Sequence, residues 1–175
     1  TELSNGQKAD LITQMDELDE DIDFLLIDAG AGISHNVMFF NVAAHEIIVV
    51  ASPEPTTIID AYAQMVVMSQ NYAEHRFQLL INSVMSEVEA KAVYKKLCNI
   101  TDRFLNISLD YLGYILHDPD MTLAVREQKA IVEIFPESPA SRCFRRIARA
   151  MAAETDMASP KGNIQFFWKR LFQVA

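Results

Sequence analysis

The residues on which the fold turns are Phe24-Leu25-Leu26-Ile27-Asp28-Ala29-Gly30-Ala31-Gly32-Ile33. Four apolar residues follow one another without polar alternation, the pattern of a strand buried on both faces of a parallel sheet. The run stops at a carboxylate and enters a small, glycine-rich turn. In open α/β sheets, ligands bind at the carboxyl ends of the strands. An Asp there is placed to hold a metal-bound water, and Gly30 and Gly32 allow backbone to approach a phosphate. A second reading is equally good locally: Asp28 caps a following helix, since Asp favours that position.

Working outward, similar short apolar runs recur and helical spacing fills the gaps between them. Leu11, Ile12, Met15 and Leu18 predict an amphipathic helix over about 7–18. The acidic run 16–23 that follows reads as a solvated helix end rather than a cation site. Ser34 opens a predicted helix reaching Ala44. Strands are predicted over 46–51, 77–82 and 111–116, with helices over about 57–71, 86–99, 121–128 and from Ser138-Pro139 to Ala153. Thr56 or Thr57 is the expected cap of the helix after the Pro53–Pro55 loop. Strands alternating with helices imply an α/β fold: a doubly wound, mostly parallel sheet with helices on both faces. Asp28, the Ser52–Thr57 loop, Asn82 and the His117–Asp120 loop then share one edge, which favours a functional Asp28. Asn82 also has a plain reading, as a helix cap or loop tie.

Composition narrows the function classes. With 175 residues, half of them hydrophobic, the chain supports a substantial core. Its net charge of −9 disfavours non-specific nucleic-acid binding, which needs clustered Lys and Arg. Cys98 and Cys143 have no metal-like spacing and read as structural thiols. His45, His75 and His117 have no spacing partners and read as ordinary surface residues.

The last residues differ from the rest. Residues 1–153 form the predicted body, 154–163 a linker and 164–175 an amphipathic helix. At ~100° per residue, Ile164, Phe167, Trp168, Leu171 and Phe172 share one arc, and Lys169 and Arg170 lie on the other side. Such a helix suits an anionic membrane interface, with aromatics among acyl chains and cations near headgroups. Docking on the protein's own core and binding to a partner protein are the alternatives.

Several stretches together carry a resemblance. The run Asp23 to Ser34 is similar to the Walker B and switch II segment of MinD/ParA-type ATPases. Ala43 to Val50, Pro53 to Tyr62, Leu112 to Ile115 and Pro136 to Ala140 resemble the flagellar-number regulators of that family, the FlhG/FleN group, as does the amphipathic tail. The resemblance covers about 7–175 and implies a partial P-loop NTPase fold. It implies that Asp28 orients the Mg²⁺ of ATP through water and that Gly32 lies in the turn sensing the γ-phosphate. It further implies that Asn82 faces the adenine, that Leu116, His117, Asp118 and Pro119 flank the base, and that the tail enters the membrane when ATP drives homodimerisation. The implied setting is the cytoplasmic face of the cell membrane, with flagellar assembly proteins such as an FlhF-like GTPase as partners and no nucleic acid. The family's alternative role is division-site placement.

Two departures stand out. The chain contains no Gly-Lys-Ser/Thr, so it has neither the backbone cradle nor the Lys that a P-loop supplies. The resemblance places that loop ahead of Thr1, so this chain alone is expected neither to bind ATP tightly nor to hydrolyse it. Leu116 stands where the family usually has Pro, and Ala29 where the flagellar group often has Thr. A truncated, non-enzymatic scaffold is the competing reading.

Overall fold

The computed structural model describes residues 6–7, 10, 24–30, 32–34, 37–38, 40–41 and 44–157, the last four of these in backbone only. Its centre is a three-stranded parallel sheet in the order β1-β2-β3: β1 (Ile48–Ala51), β2 (Arg76–Val84) and β3 (Ser108–Leu116). The connections are α1 (Pro55–Tyr72) and α2 (Glu87–Phe104). Beyond β3 come α3 (Pro119–Arg126), the short α4 (Ile131–Ile134) and α5 (Pro139–Met157). The expected α/β architecture is therefore present.

Alternate residues of a strand point to opposite faces, and β2 uses both. Leu79 and Ile81 belong to one apolar cluster with Ile58, Met65 and Met68 of α1 and Ala90, Val93 and Leu97 of α2. Leu80 meets the other, built from Ile115 of β3, Ala124 of α3, Ile131 of α4 and Ala140, Cys143 and Ile147 of α5. Phe77, Met65, Met68, Leu79, Ile81 and Leu97 are at most 1% exposed. Each buried side chain of this size contributes roughly 1.5–3 kcal/mol relative to exposure, so β2 is the spine of both layers.

A bulge lets β3 serve both layers as well. The register runs Leu79↔Tyr111 and then Leu80↔Gly113, leaving Leu112 as the extra residue. An inserted residue switches which face the following side chains occupy. Leu109 and Tyr111 accordingly pack with α1 and α2, while Leu112 and Ile115 pack with α5. Gly113 is needed next to this bulge: its φ is +147°, and an added Cβ would sit 3.3 Å from Ile147 Cγ1.

Local signals explain most element ends. Ser86 starts α2 by accepting from the Glu89 N–H at 3.2 Å, while Glu89 Oε2 accepts from the Met85 N–H at 2.7 Å. This is a reciprocal capping arrangement. Ser138 Oγ accepts from the Ser141 N–H at 3.2 Å beside Pro139, the first residue of α5. The helix after the Pro53–Pro55 loop begins earlier than expected and is not capped by threonine. Its first residue is Pro55 and its N-cap Glu54 has no side-chain cap bond. Proline occupies the first helical position without cost because that N–H has no helical acceptor anyway. α4 has no expected counterpart, and α2 continues to Phe104. Thr101 is fully buried in its last turns, where its hydroxyl bonds Leu97 O or Cys98 O, each at 3.1 Å.

The largest correction concerns the opening stretch. Phe24 to Gly30 form neither strand nor helix, and Phe24, Leu25 and Leu26 are 47%, 41% and 78% exposed. A strand with two apolar faces needs a ladder partner and a layer on each side. Among the described residues no strand lies beside this run, and β1 pairs only with β2. Among the described residues of this stretch, Ala29 alone packs against the core. At the other end, α5 runs to Met157, into the stretch read as linker; 158–163 and the aromatic segment 164–175 lie outside the described residues.

Candidate functional site at the carboxyl edge of the sheet

Because all three strands are parallel, their carboxyl ends meet at one edge, as the sequence reading expected. The loop after β1 is closed by hydroxyl groups. The Ser52 N–H donates to Thr57 Oγ1 at 3.0 Å, and Ser52 Oγ lies 2.9 Å from the same atom. Thr57 Oγ1 has Ser52 O at 3.1 Å and Glu54 O at 2.9 Å as acceptors. The first turn of α1 is thus tied back onto the end of β1.

The end of β2 is irregular in a way that shapes the site. The register passes from Ile81↔Tyr114 to Val84↔Leu116, so Asn82 and Ser83 bulge out of the ladder. Ser83 has a φ of +57°, a left-handed conformation uncommon outside glycine and asparagine. Its Oγ lies 3.2 Å from Nδ1 of His117, and the His117 N–H donates to Val84 O at 2.7 Å. Leu116, the last residue of β3, leads through His117 and Asp118 to Pro119, the first of α3. The bulged end of β2 and the start of the 116–119 loop therefore touch.

A cavity of ≈ 450 Å³ opens between the first two strand ends. Val50, Ala51, Ser52, Pro53, Glu54 and Thr57 line one side, and Asn82, Ser83, Met85 and Glu89 the other. Its character is amide, hydroxyl and apolar, with two carboxylates and no Lys or Arg among the lining residues. That chemistry fits a neutral heterocycle, which needs an apolar face and a donor–acceptor amide. It does not fit a triphosphate, which needs cations or a nest of backbone N–H groups.

Asp118 does something the sequence did not suggest. It is only 6% exposed. Its Oδ1 accepts from the Asp120 N–H and its Oδ2 from the Ala140 N–H, each at 3.0 Å. One carboxylate therefore caps α3 and anchors the start of α5. Burial on its own raises its proton affinity. The Ala140 N–H, the Ser138 side chain, the Asp120 N–H and nearby His117 outweigh that and hold the carboxyl below 3.8.

Asp28 is exposed and is not among the residues lining the cavity. Gly30 and Gly32 both have positive φ, 68° and 106°, with open space where a Cβ would be. Both glycines thus hold backbone conformations that favour glycine, and Ala29 beside them contacts the core. Among the described residues no three His, Cys, Asp or Glu side chains converge as a metal-ligand set. Ile164, Phe167, Trp168, Lys169, Arg170, Leu171 and Phe172 lie outside the described residues. Sequence reasoning missed Ser83 and Glu89. Ser86-x-x-Glu89 was a recognisable capping pattern, whereas the bulge that presents Ser83 depends on strand register.

No protein-family model matches the chain. The antiactivator FleN of Pseudomonas aeruginosa is 37% identical over 171 residues, covering 98% of this chain and 61% of FleN. The flagellum site-determining protein YlxH of Helicobacter pylori is 27% identical over 175 residues, covering 98% of this chain and 59% of YlxH. The septum site-determining protein MinD of Bacillus subtilis is 25% identical over 139 residues, covering 79% of this chain and 50% of MinD. The chain thus spans about three-fifths of the length of the first two relatives. Its parallel sheet and near-complete alignment with FleN and YlxH make it a member of the MinD/ParA-type family, of the FlhG/FleN kind.

Proposed function

We propose that the chain is the base-facing and membrane-facing part of a flagellar-number regulator that works as an ATP-dependent, membrane-associated switch. The observation that carries this is the edge where Ser52–Thr57, Asn82–Ser83 and His117 meet, taken with 37% identity to FleN along nearly the whole chain. The ring of the nucleotide would lie among Asn82, the Leu116–Pro119 loop and the apolar wall of the cavity. Asn82 offers an amide NH2 to donate and a carbonyl oxygen to accept, which suits a ring edge. Asp28, in the intact protein, would hold a water of the Mg²⁺ shell, and the Gly30–Gly32 turn would follow the γ-phosphate. Mg²⁺·ATP held there in the intact protein would supply the charge that Asp28 and the stretch from Gly30 to Gly32 respond to, and residues 164–175 would provide the membrane contact. Asp118 holds the frame of this edge, since both of its oxygens are committed to α3 and α5.

Among the described residues no Lys or Arg lines the cavity, which supports a phosphate cradle drawn from elsewhere in the intact protein. It also lends some weight to a nucleotide-free scaffold, and one titration separates the two. Residues 1–175 alone are expected to show no saturable ATP binding by calorimetry, while the intact protein is expected to bind in a Mg²⁺-dependent way. An intact protein that ignores ATP supports the scaffold, and tight binding by this chain alone contradicts the external cradle.

A further inference from the structure

The outer face of α5 is basic in an otherwise acidic protein. Arg142, Arg145, Arg146 and Arg149 follow the spacing i, i+3, i+4, i+7, which places them on one stripe. Ala140, Cys143 and Ile147 are buried on the side of the helix that faces the sheet. At ~100° per residue the arginine stripe points away from that contact. Arg142, Arg146 and Arg149 are exposed and Arg145 is half-buried.

The four guanidiniums and Glu137 line a surface depression of ≈ 580 Å³. Glu137 is the one carboxylate there and bonds Arg145 at 3.4 Å, with its side chain 80% exposed. An ion pair so open to solvent contributes little. Arg145 also donates to Pro136 O. Arg146 is stacked on the Tyr114 ring, 4.3 Å from its centroid. No hydrogen bond or ion pair among the described residues engages the side chain of Arg142 or Arg149. Two arginines are thus fixed in place and two are uncommitted, on a chain whose net charge is −9.

We propose that this arginine face is the electrostatic half of a two-part contact with an anionic bilayer surface, the aromatic segment 164–175 being the apolar half. The inference rests on the membrane reading given above and adds a second surface to it. Charge complementarity and chain continuity argue for this occupant. Cationic side chains near an anionic bilayer are drawn to its headgroup phosphates. The helix that carries them leads directly into the segment holding Lys161, Lys169 and Arg170 with Phe167, Trp168 and Phe172. In sequence, the arginine stripe and these later cations are separated by only a short length of chain. A single short amphipathic helix holds a bilayer weakly, and a second headgroup contact strengthens it as any second site does.

Vesicle co-sedimentation of the chain tests the proposal, with phosphatidylcholine vesicles compared against vesicles enriched in phosphatidylglycerol. R142Q/R149Q, at two exposed positions, is expected to weaken binding to the anionic vesicles about 30-fold, since each cation near such a surface contributes about one factor of five. It leaves binding to neutral vesicles unchanged, and R142K/R149K restores the anionic preference. Trp168→Glu weakens binding to both kinds. If R142Q/R149Q matches the wild type while Trp168→Glu fails to bind, the arginine face is overturned and the tail reading stands. If Trp168→Glu binds like the wild type, the membrane reading falls and takes this inference with it. A wild-type chain that binds a Glu-rich peptide but no vesicle places an acidic protein on the face and overturns the proposal. So does an R142K/R149K variant as weak as the glutamine pair.

Discussion

Replacing Trp168 or Phe167 by Glu is expected to lower binding to anionic vesicles by about two orders of magnitude. Burying an aromatic side chain contributes roughly 2–3 kcal/mol, and the new carboxylate adds about 1 kcal/mol of repulsion from the anionic surface. Together these correspond to a factor of several hundred, reduced where neighbours rearrange. The choice of residues follows from the helical projection, which places Phe167 and Trp168 within the apolar arc and Gln165 and Gln173 outside it. Gln165→Glu is the matched control and costs only the charge term. Co-sedimentation or tryptophan fluorescence at Trp168, the chain's single tryptophan, reads the effect directly. Full binding by both aromatic variants would move the segment from the membrane to the protein's own core or to a partner.

The second large effect lies inside the fold. Asp118→Ala destabilises the chain by about 3 kcal/mol, combining a lost helix cap of about 1 kcal/mol with a buried N–H left without an acceptor. The orphaned donor is the Ala140 N–H, now bonded at 3.0 Å in a buried setting. For a chain of this size the melting temperature falls by about 6–12 °C. Asp118→Asn keeps an acceptor and costs less, and it separates charge from geometry. The native carboxyl titrates below its ordinary 3.8. Its contribution is therefore complete above that value and is lost as pH falls through the lower, folded value. Urea unfolding of wild type and Asp118→Asn across acid pH measures it. The gap between them is constant near neutrality and narrows on acidification. A gap that widens in acid would mean that the folded carboxyl binds its proton more tightly than the unfolded one, contrary to this geometry.

Which parts were legible in the sequence follows from how local each signal is. β1 to β3 could be read because β-branched and apolar runs announce buried strands. The polar lead-in at Ser108 and Asp110 hid the start of β3. Phe24 to Ile27 carry the same signal as β1 and form no strand, because a run states what is to be buried and not what it pairs with. Asp118 was visible as a loop residue at the right edge. Its real engagement, with an N–H some twenty residues further on, is a tertiary fact. The contact of Ser83 with His117 depends on a bulge and had no local trace. The arginine stripe of α5 had an obvious period, yet its meaning needed the buried face opposite to be known. The shared edge was legible as a whole because topology forces parallel strand ends together, whichever residues occupy them.

The central proposal is that this chain belongs to a regulator of flagellar number whose switch depends on Asp28. Electron-microscopic counts of flagella per cell test it most directly, in a strain whose only copy of the intact protein carries Asp28→Ala. The account predicts a changed distribution of flagellar number, matching that of a strain from which the gene is deleted. A deletion strain with the wild-type distribution would contradict the flagellar role, and an Asp28→Ala strain indistinguishable from wild type at equal protein level would contradict the switch.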